Sequence, residues 1–208
     1  MAAILRVNPA LLWRQALERA ASALRRGEVV AIPTDTVYGL AVDPFQPGAV
    51  RRLFWLKRRP ENKPILLLVG STRQVERLVK RLPESFERLT ARFWPGPLTL
   101  VLPAASSAPE AITSGTGTVA VRLPGSALTR ELIRVAGSAL TGTSANRSGQ
   151  PAAWCAAQVQ RQFPTGLALI LDAGPARNRL PSTIVDLTGE PRVIREGSLP
   201  AGEVLCHC

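Results

Sequence analysis

Short apolar runs alternate along this chain with segments of helical period, and that alternation sets the class of fold before anything else is considered. Residues 65–69 form a continuous apolar run between Pro64 and Gly70, as expected for a strand buried on both faces. Similar β runs are expected at 28–32, 98–102, 119–123, 139–141, 167–171, 183–187 and 192–195. Between them, apolar residues recur at helical spacing over 47–56, 72–82, 84–93, 126–136 and 152–163. A further helix should start at Asn8-Pro9, carry Leu11, Leu12, Leu17, Ala20, Ala21 and Leu24 on one face, and stop at Gly27. Some neighbouring strands are separated by a helix and others only by turn residues such as Thr188-Gly189-Glu190-Pro191, so parallel and antiparallel pairs should coexist. The expectation is an α/β domain with a twisted, mixed β-sheet flanked by helices. The 18 prolines and 16 glycines fall mostly between the runs, which predicts stiff, specifically shaped loops. At 208 residues the chain suits a single domain over 1–208, with its core at about 8–200 and a frayed tail at 201–208.

The formal charge of +11 asks for acidic partners: nucleotide phosphates, RNA or an anionic surface. No run approaches the length of a membrane span, and Met1-Ala2-Ala3-Ile4-Leu5-Arg6 lacks the features of a signal peptide, so a cytoplasmic protein without membrane contact is predicted. Three cysteines, Cys155, Cys206 and Cys208, are too few for a disulfide framework and agree with a reducing compartment. Cys206-His207-Cys208 offers too few ligands for structural zinc, and no metal site is expected from the protein itself.

The only histidine is His207, the penultimate residue, which removes Ser-His triads and imidazole acid–base chemistry. No Gly-x-x-x-x-Gly-Lys loop and no Gly-x-Gly-x-x-Gly motif is present. What remains are cations, hydroxyls and backbone amides, the equipment for holding polyanions during phosphoryl or nucleotidyl transfer. Only three of the 26 basic residues are lysine, yet Lys57 and Lys63 lie within seven positions of each other, where a compact ammonium suits a crowded phosphate oxygen. Ser144, Asn146, Ser148 and Gly149 precede a predicted helix whose positive end favours phosphate.

These blocks occur in a characteristic order. Pro33-Thr34-Asp35-Thr36-Val37-Tyr38-Gly39-Leu40 comes first, then Lys57-Arg58-Arg59-Pro60 with Lys63-Pro64, and then Phe93-Trp94-Pro95-Gly96-Pro97-Leu98-Thr99. Val119-Ala120-Val121-Arg122-Leu123-Pro124, Ser144-Ala145-Asn146-Arg147-Ser148-Gly149 and Ser182-Thr183-Ile184-Val185-Asp186 complete the series. The chain resembles the YrdC-like family, the threonylcarbamoyl-AMP synthases of tRNA modification, from about residue 29 to residue 197. That resemblance implies a single YrdC-like domain with a basic concave cavity. It also implies a nucleotidyltransferase that makes threonylcarbamoyl-AMP and pyrophosphate from L-threonine, bicarbonate or CO2, and ATP, for modification of adenosine 37 in tRNA.

Carried over by motif, Lys57, Arg59, Ser144 and Asn146 would be catalytic and bind ATP, with Arg195 closing on the nucleotide. Thr34, Lys63, Arg122 and Ser182 would hold threonine, and magnesium would arrive with ATP. The chain resembles the short bacterial form, which is expected to need partner proteins to transfer the threonylcarbamoyl group, with possible direct contact to tRNA. The bulky Phe54-Trp55-Leu56 departs from the family pattern. Two other readings remain: a non-catalytic module binding tRNA or double-stranded RNA, and, ranked third, a carbamoyl-transfer module like that of hydrogenase maturation factors.

Overall fold

A computed structural model of the chain describes residues 2–7 and 13–208. The expected helix start at Asn8-Pro9, with Leu11 and Leu12, lies outside the described residues. From there on the helix is present as α1 (Trp13–Arg25), and it buries Leu17, Ala20, Ala21 and Leu24. It packs on α6 (Ala127–Ala136). That second helix is bounded by local chemistry: the Ser126 side chain accepts a hydrogen bond from the Thr129 amide at 3.3 Å, and Gly137 ends it at φ 78°.

The strands divide between two mixed sheets. One holds β1 (Ala3–Arg6), β9 (Leu169–Asp172), β2 (Val30–Ile32), β3 (Gly39–Ala41) and β8 (Thr143–Ser144), in that spatial order. In it β9 runs parallel to β1 and β2, whereas β3 is antiparallel to both β2 and β8. The other is ordered β11 (Arg192–Arg195), β10 (Thr183–Asp186), β5 (Leu98–Pro103), β6 (Thr118–Arg122), β4 (Leu67–Leu68) and β7 (Leu140–Thr141). The two sheets share a buried cluster, with Ala31, Leu40 and Ile170 from one, Leu67, Leu100, Val121 and Val185 from the other, and Leu53 and Phe54 from α2 (Pro47–Lys57).

One residue carries the chain from sheet to sheet. Thr141 pairs with Leu67, Thr143 pairs with Leu40, and Gly142 lies between them. A Cβ at Gly142 would stand 2.6 Å from Leu68 Cγ, so only glycine lets the backbone pass so close to the neighbouring strand. Two residues further on stands Ser144.

The expected mixed α/β class is present, with finer differences. Strands β1, β3 and β8 were not foreseen, because two to four residues without alternation are strands only through the partners that pair with them. The helix expected over 72–82 ends early, as α3 (Thr72–Glu76). Val79 instead bridges to Ala104, and the Lys80 amide donates to the Pro103 carbonyl at 2.9 Å. The helix expected over 152–163 is α7 (Ala156–Gln162). The expected frayed tail is a short helix, α8 (Ala201–Leu205), anchored by fully buried Val204. Beyond it the His207 ring stands edge-on to Phe93 at 5.4 Å, and Arg88 donates to the Cys208 carbonyl. Helices α4 (Glu84–Phe93) and α5 (Glu110–Thr113) complete the fold, and no helix among the described residues is long and apolar enough to cross a membrane.

Candidate functional site

Lys57 is the last residue of α2, and its side chain points inward with 2% exposure. Its ammonium donates to the Ser144 carbonyl and to the Asn146 carbonyl at 2.6 Å, with Asn146 Oδ1 at 3.4 Å. In return the Ser148 amide donates to the Lys57 carbonyl at 2.9 Å. The loop is thus pinned to the helix end from both directions, and the Ser144 hydroxyl donates to Asn146 Oδ1. Upstream, Ser144 pairs with Gly39 in the first sheet, and the Ala145 amide donates to the Tyr38 carbonyl at 2.7 Å. Lys57 and the loop from Ser144 to Ser148, more than eighty positions apart in the chain, therefore meet where the first sheet ends.

Burial, with the nearby Arg59 charge, pushes the Lys57 pKa down to about 7. The carbonyl oxygens around Nζ act the other way, since hydrogen bonds to the ammonium favour it. Arg59, on the turn after α2, donates to the Pro64 carbonyl at 2.7 Å and lies 6.0 Å from the Phe54 ring centroid. Its Nε is buried with no hydrogen-bond partner among the described residues, and burial lowers the pKa of its guanidinium. A buried, unanswered donor beside a lysine with no carboxylate partner suits an incoming anion.

A second group gathers on Arg122, at the C-terminal end of β6. Its guanidinium donates to the Gly96 carbonyl at 2.9 Å and to Thr36 Oγ1 at 3.1 Å, and stands 2.6 Å from Asp35 Oδ2. That last contact is an ion pair by distance but not an aligned hydrogen bond, for Nη2 and both Asp35 oxygens remain without hydrogen-bond partners. Burial pulls the Arg122 pKa down and Asp35 opposes that pull. Gly96 sits so close to the Phe93 carbonyl that an added Cβ would stand 2.3 Å from it, which keeps this turn free to face Arg122. Thr34 Oγ1 donates to the Val37 carbonyl at 2.6 Å and lies 3.0 Å from Thr36 Oγ1.

Ser182, just before β10, shares a hydroxyl contact of 2.8 Å with Thr99, and Arg195 donates to the Ser182 carbonyl at 2.8 Å. Burial, then the charge of Arg122, lowers the Arg195 pKa, so the two guanidinium groups feel each other. Arg195, expected to close on the nucleotide, is hydrogen-bonded into the Ser182 group in this structure. The strand that bears Ser144 and the Thr34 loop both flank Gly39, where a Cβ would lie 3.4 Å from the Thr143 carbonyl and 3.8 Å from Thr34 Cγ2. Lys63 is exposed, and its side chain has no hydrogen bond or ion pair among the described residues.

Asp35 and Thr36, which hold Arg122, and Thr99, which holds Ser182, stand inside the sequence motifs without a role assigned by them. Thr99 carried a usable signal, a lone hydroxyl in the apolar run Leu98-Thr99-Leu100-Val101-Leu102. Among the described residues no group of three His, Cys, Asp or Glu side chains could hold a metal ion, and Asp35 is engaged by Arg122. This donor set does not fit a dedicated magnesium cage.

Residues 22–197 match a family model named for Sua5, YciO and YrdC and described as telomere recombination. A threonylcarbamoyl-AMP synthase of Pyrococcus abyssi is 42% identical over 186 residues, which is 89% of this chain and 55% of that protein. One from Bacillus subtilis is 36% identical over 190 residues, 90% of this chain and 55% of that protein. The chain thus spans about half the length of these relatives. The crystal structure of P. abyssi Sua5 complexed with L-threonine superimposes with a TM-score of 0.93 at 38% identity, covering 100% of this chain and 60% of that one.

Proposed function

The chain belongs to the Sua5/YciO/YrdC family, and from that premise we propose that it is a nucleotidyltransferase, an L-threonylcarbamoyl-AMP synthase. The threonine amine adds to CO2 to give a carbamate and release a proton. A carbamate oxygen then attacks the α-phosphorus of ATP, a new P–O bond forms, and pyrophosphate leaves. The nucleophile comes from the substrates, so a site without histidine suffices, and the protein supplies position and charge.

The observation that carries this reading is the presence of two differently equipped cationic groups, whose neighbouring segments at Thr143 and Thr34 both flank Gly39. Lys57 and Arg59, with Ser144 and Asn146, form the group lacking a carboxylate, and they are assigned to the triphosphate and the reacting carbamate. In this structure the Lys57 ammonium is occupied by carbonyls, so its phosphate role requires Nζ to trade one of them for a phosphate oxygen. The Arg59 Nε needs no such exchange.

Thr34, Arg122 and Ser182 are assigned to L-threonine, a cation for its carboxylate and hydroxyls for its polar groups. The likeness to a relative complexed with L-threonine supports an amino-acid ligand. Arg195 would reach the nucleotide from the Ser182 side, Lys63 would approach from the flanking loop, and the whole would line one basic cavity. Magnesium is assigned to ATP as its counterion rather than to a protein cage. The product would feed modification of adenosine 37 in tRNA, in the cytoplasm and with partner proteins.

The test is pyrophosphate release from ATP in bicarbonate buffer. Release should depend on threonine and be accompanied by threonylcarbamoyl-AMP detected by mass. Release indifferent to threonine would end this assignment.

A further inference from the structure

Asp35 stands in a tight loop, where an aspartate ordinarily closes the turn, and it does not do so. The other three aspartates each accept a backbone hydrogen bond from two residues on: Asp43 from the Phe45 amide at 2.9 Å, Asp172 from Gly174 at 3.0 Å and Asp186 from Thr188 at 2.9 Å. In the Asp35 loop that task falls to its neighbour, for Thr34 Oγ1 accepts from the Thr36 amide at 3.2 Å and donates to the Val37 carbonyl. Both Asp35 oxygens are buried and accept no hydrogen bond.

Glycine keeps the space around this carboxylate. A Cβ at Gly125 would stand 2.9 Å from Asp35 Oδ2 and 3.0 Å from its Cγ. Arg122 faces it at 2.6 Å, yet Nη2 is as unanswered as the oxygens opposite, so an unsatisfied donor and unsatisfied acceptors lie side by side. A carboxylate serving only as the counterion of an arginine would be expected in line with the guanidinium N–H groups. Buried polar groups without partners are uncommon, and a ligand that brings the missing partners accounts for them. An α-amino acid carries the complementary pair, a carboxylate and an ammonium on one carbon. Entering between Arg122 and Asp35, it answers both with no change in net charge.

We infer that Asp35 receives the amino group of L-threonine and takes the proton which that nitrogen loses on becoming a carbamate. The inference rests on the synthase reading above. The threonine carboxylate takes over Nη2 of Arg122, and the released Asp35 oxygens accept from the ammonium. Once the nitrogen has given one proton to solvent, its lone pair forms the C–N bond to CO2 and one C–O π pair moves onto oxygen. A second N–H proton then passes to an Asp35 oxygen, which leaves the carbamate anion ready to attack phosphorus. Asp35 returns to the carboxylate by losing that proton to solvent.

Calorimetric titration of the full chain with L-threonine and with 2,3-dihydroxybutyrate, which has a hydroxyl in place of the amine, tests it. Wild type should bind threonine about 10- to 100-fold more tightly, the range for a hydrogen bond between charged groups. Asp35→Asn should remove that preference and lower kcat by about 100-fold, the contribution of a positioned base. The amine-free ligand should bind this variant at least as well as wild type, which a damaged fold would not allow. Gly125→Ala, which crowds the carboxylate without removing it, should reduce the preference in the same direction and serves alone if Asp35→Asn does not fold. A preference for threonine that survives in the folded variants, or equal weakening of both ligands, would overturn the inference and leave the synthase reading standing. Failure of wild type to bind threonine would overturn both.

Discussion

Lys57 and Arg122 are both cations buried to within a few percent of completely, and they are kept in opposite ways. Arg122 is surrounded by its own counterion Asp35, a hydroxyl and a carbonyl. Lys57 has only carbonyl and amide oxygens, and a second cation nearby. A guanidinium stays charged almost regardless of its surroundings, whereas an ammonium deprived of water and counterion sheds its proton readily. The charge on the arginine side is therefore permanent and already balanced, and that on the lysine side is conditional and waits for an anion. A ligand carboxylate must compete with the charged Asp35, whereas a phosphate at Lys57 competes only with neutral oxygens.

The largest effect expected from this contrast is on folding. Arg122→Met leaves Asp35 buried without its cation, and urea unfolding should show a loss of about 3–5 kcal/mol. A loss under 1 kcal/mol would mean that Asp35 finds water or another donor and that the counterion argument is wrong.

On the other side, Lys57→Met buries no orphan charge and should keep the fold, while turnover falls by about 100-fold or more, the usual cost of removing one electrostatic donor. The pH response separates the two sides further. With a pKa near 7 in the folded chain and 10.5 as its ordinary value, Lys57 binds more proton in the unfolded state across that window. Stability should therefore rise between pH 7 and about 10, the gain being lost as pH falls back across that window to 7, and this contribution should be absent in Lys57→Met. By the same logic an ATP analogue binding at pH 8 should take up a proton in wild type and not in the variant, read by calorimetry in buffers of different ionisation enthalpy. No difference in uptake would show that the three oxygens at Nζ keep it charged throughout.

The smallest expected effect tests the hydroxyl support of the arginine side. Ser182→Ala removes the 2.8 Å contact with Thr99 and should cost about 1 kcal/mol of stability. Threonine KM should rise with kcat little changed, because the lost contact serves binding in ground and transition states alike. A fall in kcat with unchanged KM would move Ser182 to the reacting end of the site.

Much of this architecture could be read from period and punctuation. The runs at 98–102 and 119–123 are strands close to their expected bounds, and Ser126 and Gly137 bracket α6 as their chemistry dictates. Pairing could not be read that way. Period says that a segment is extended but not which edge it will join, so the split into two sheets was invisible, as were β3 and β8, which exist only as partners. The candidate site was legible through ordered motifs rather than through geometry. Nothing in the spacing of Lys57 and Ser144 says that they touch, and nothing in Asp35 distinguishes a turn residue from the counterion of an arginine far along the chain.

The single-residue step at Gly142 has an effect on how such a protein tolerates change. Most active-site segments hang on connections with enough slack to soak up small movements of the framework. Here the segment bearing Ser144 and Asn146 departs from one layer immediately after leaving the other, so the spacing between layers is transmitted to those two side chains undiluted. Core substitutions remote from any ligand, such as those around Leu68, should accordingly register as misalignment of the reacting groups well before they register as unfolding.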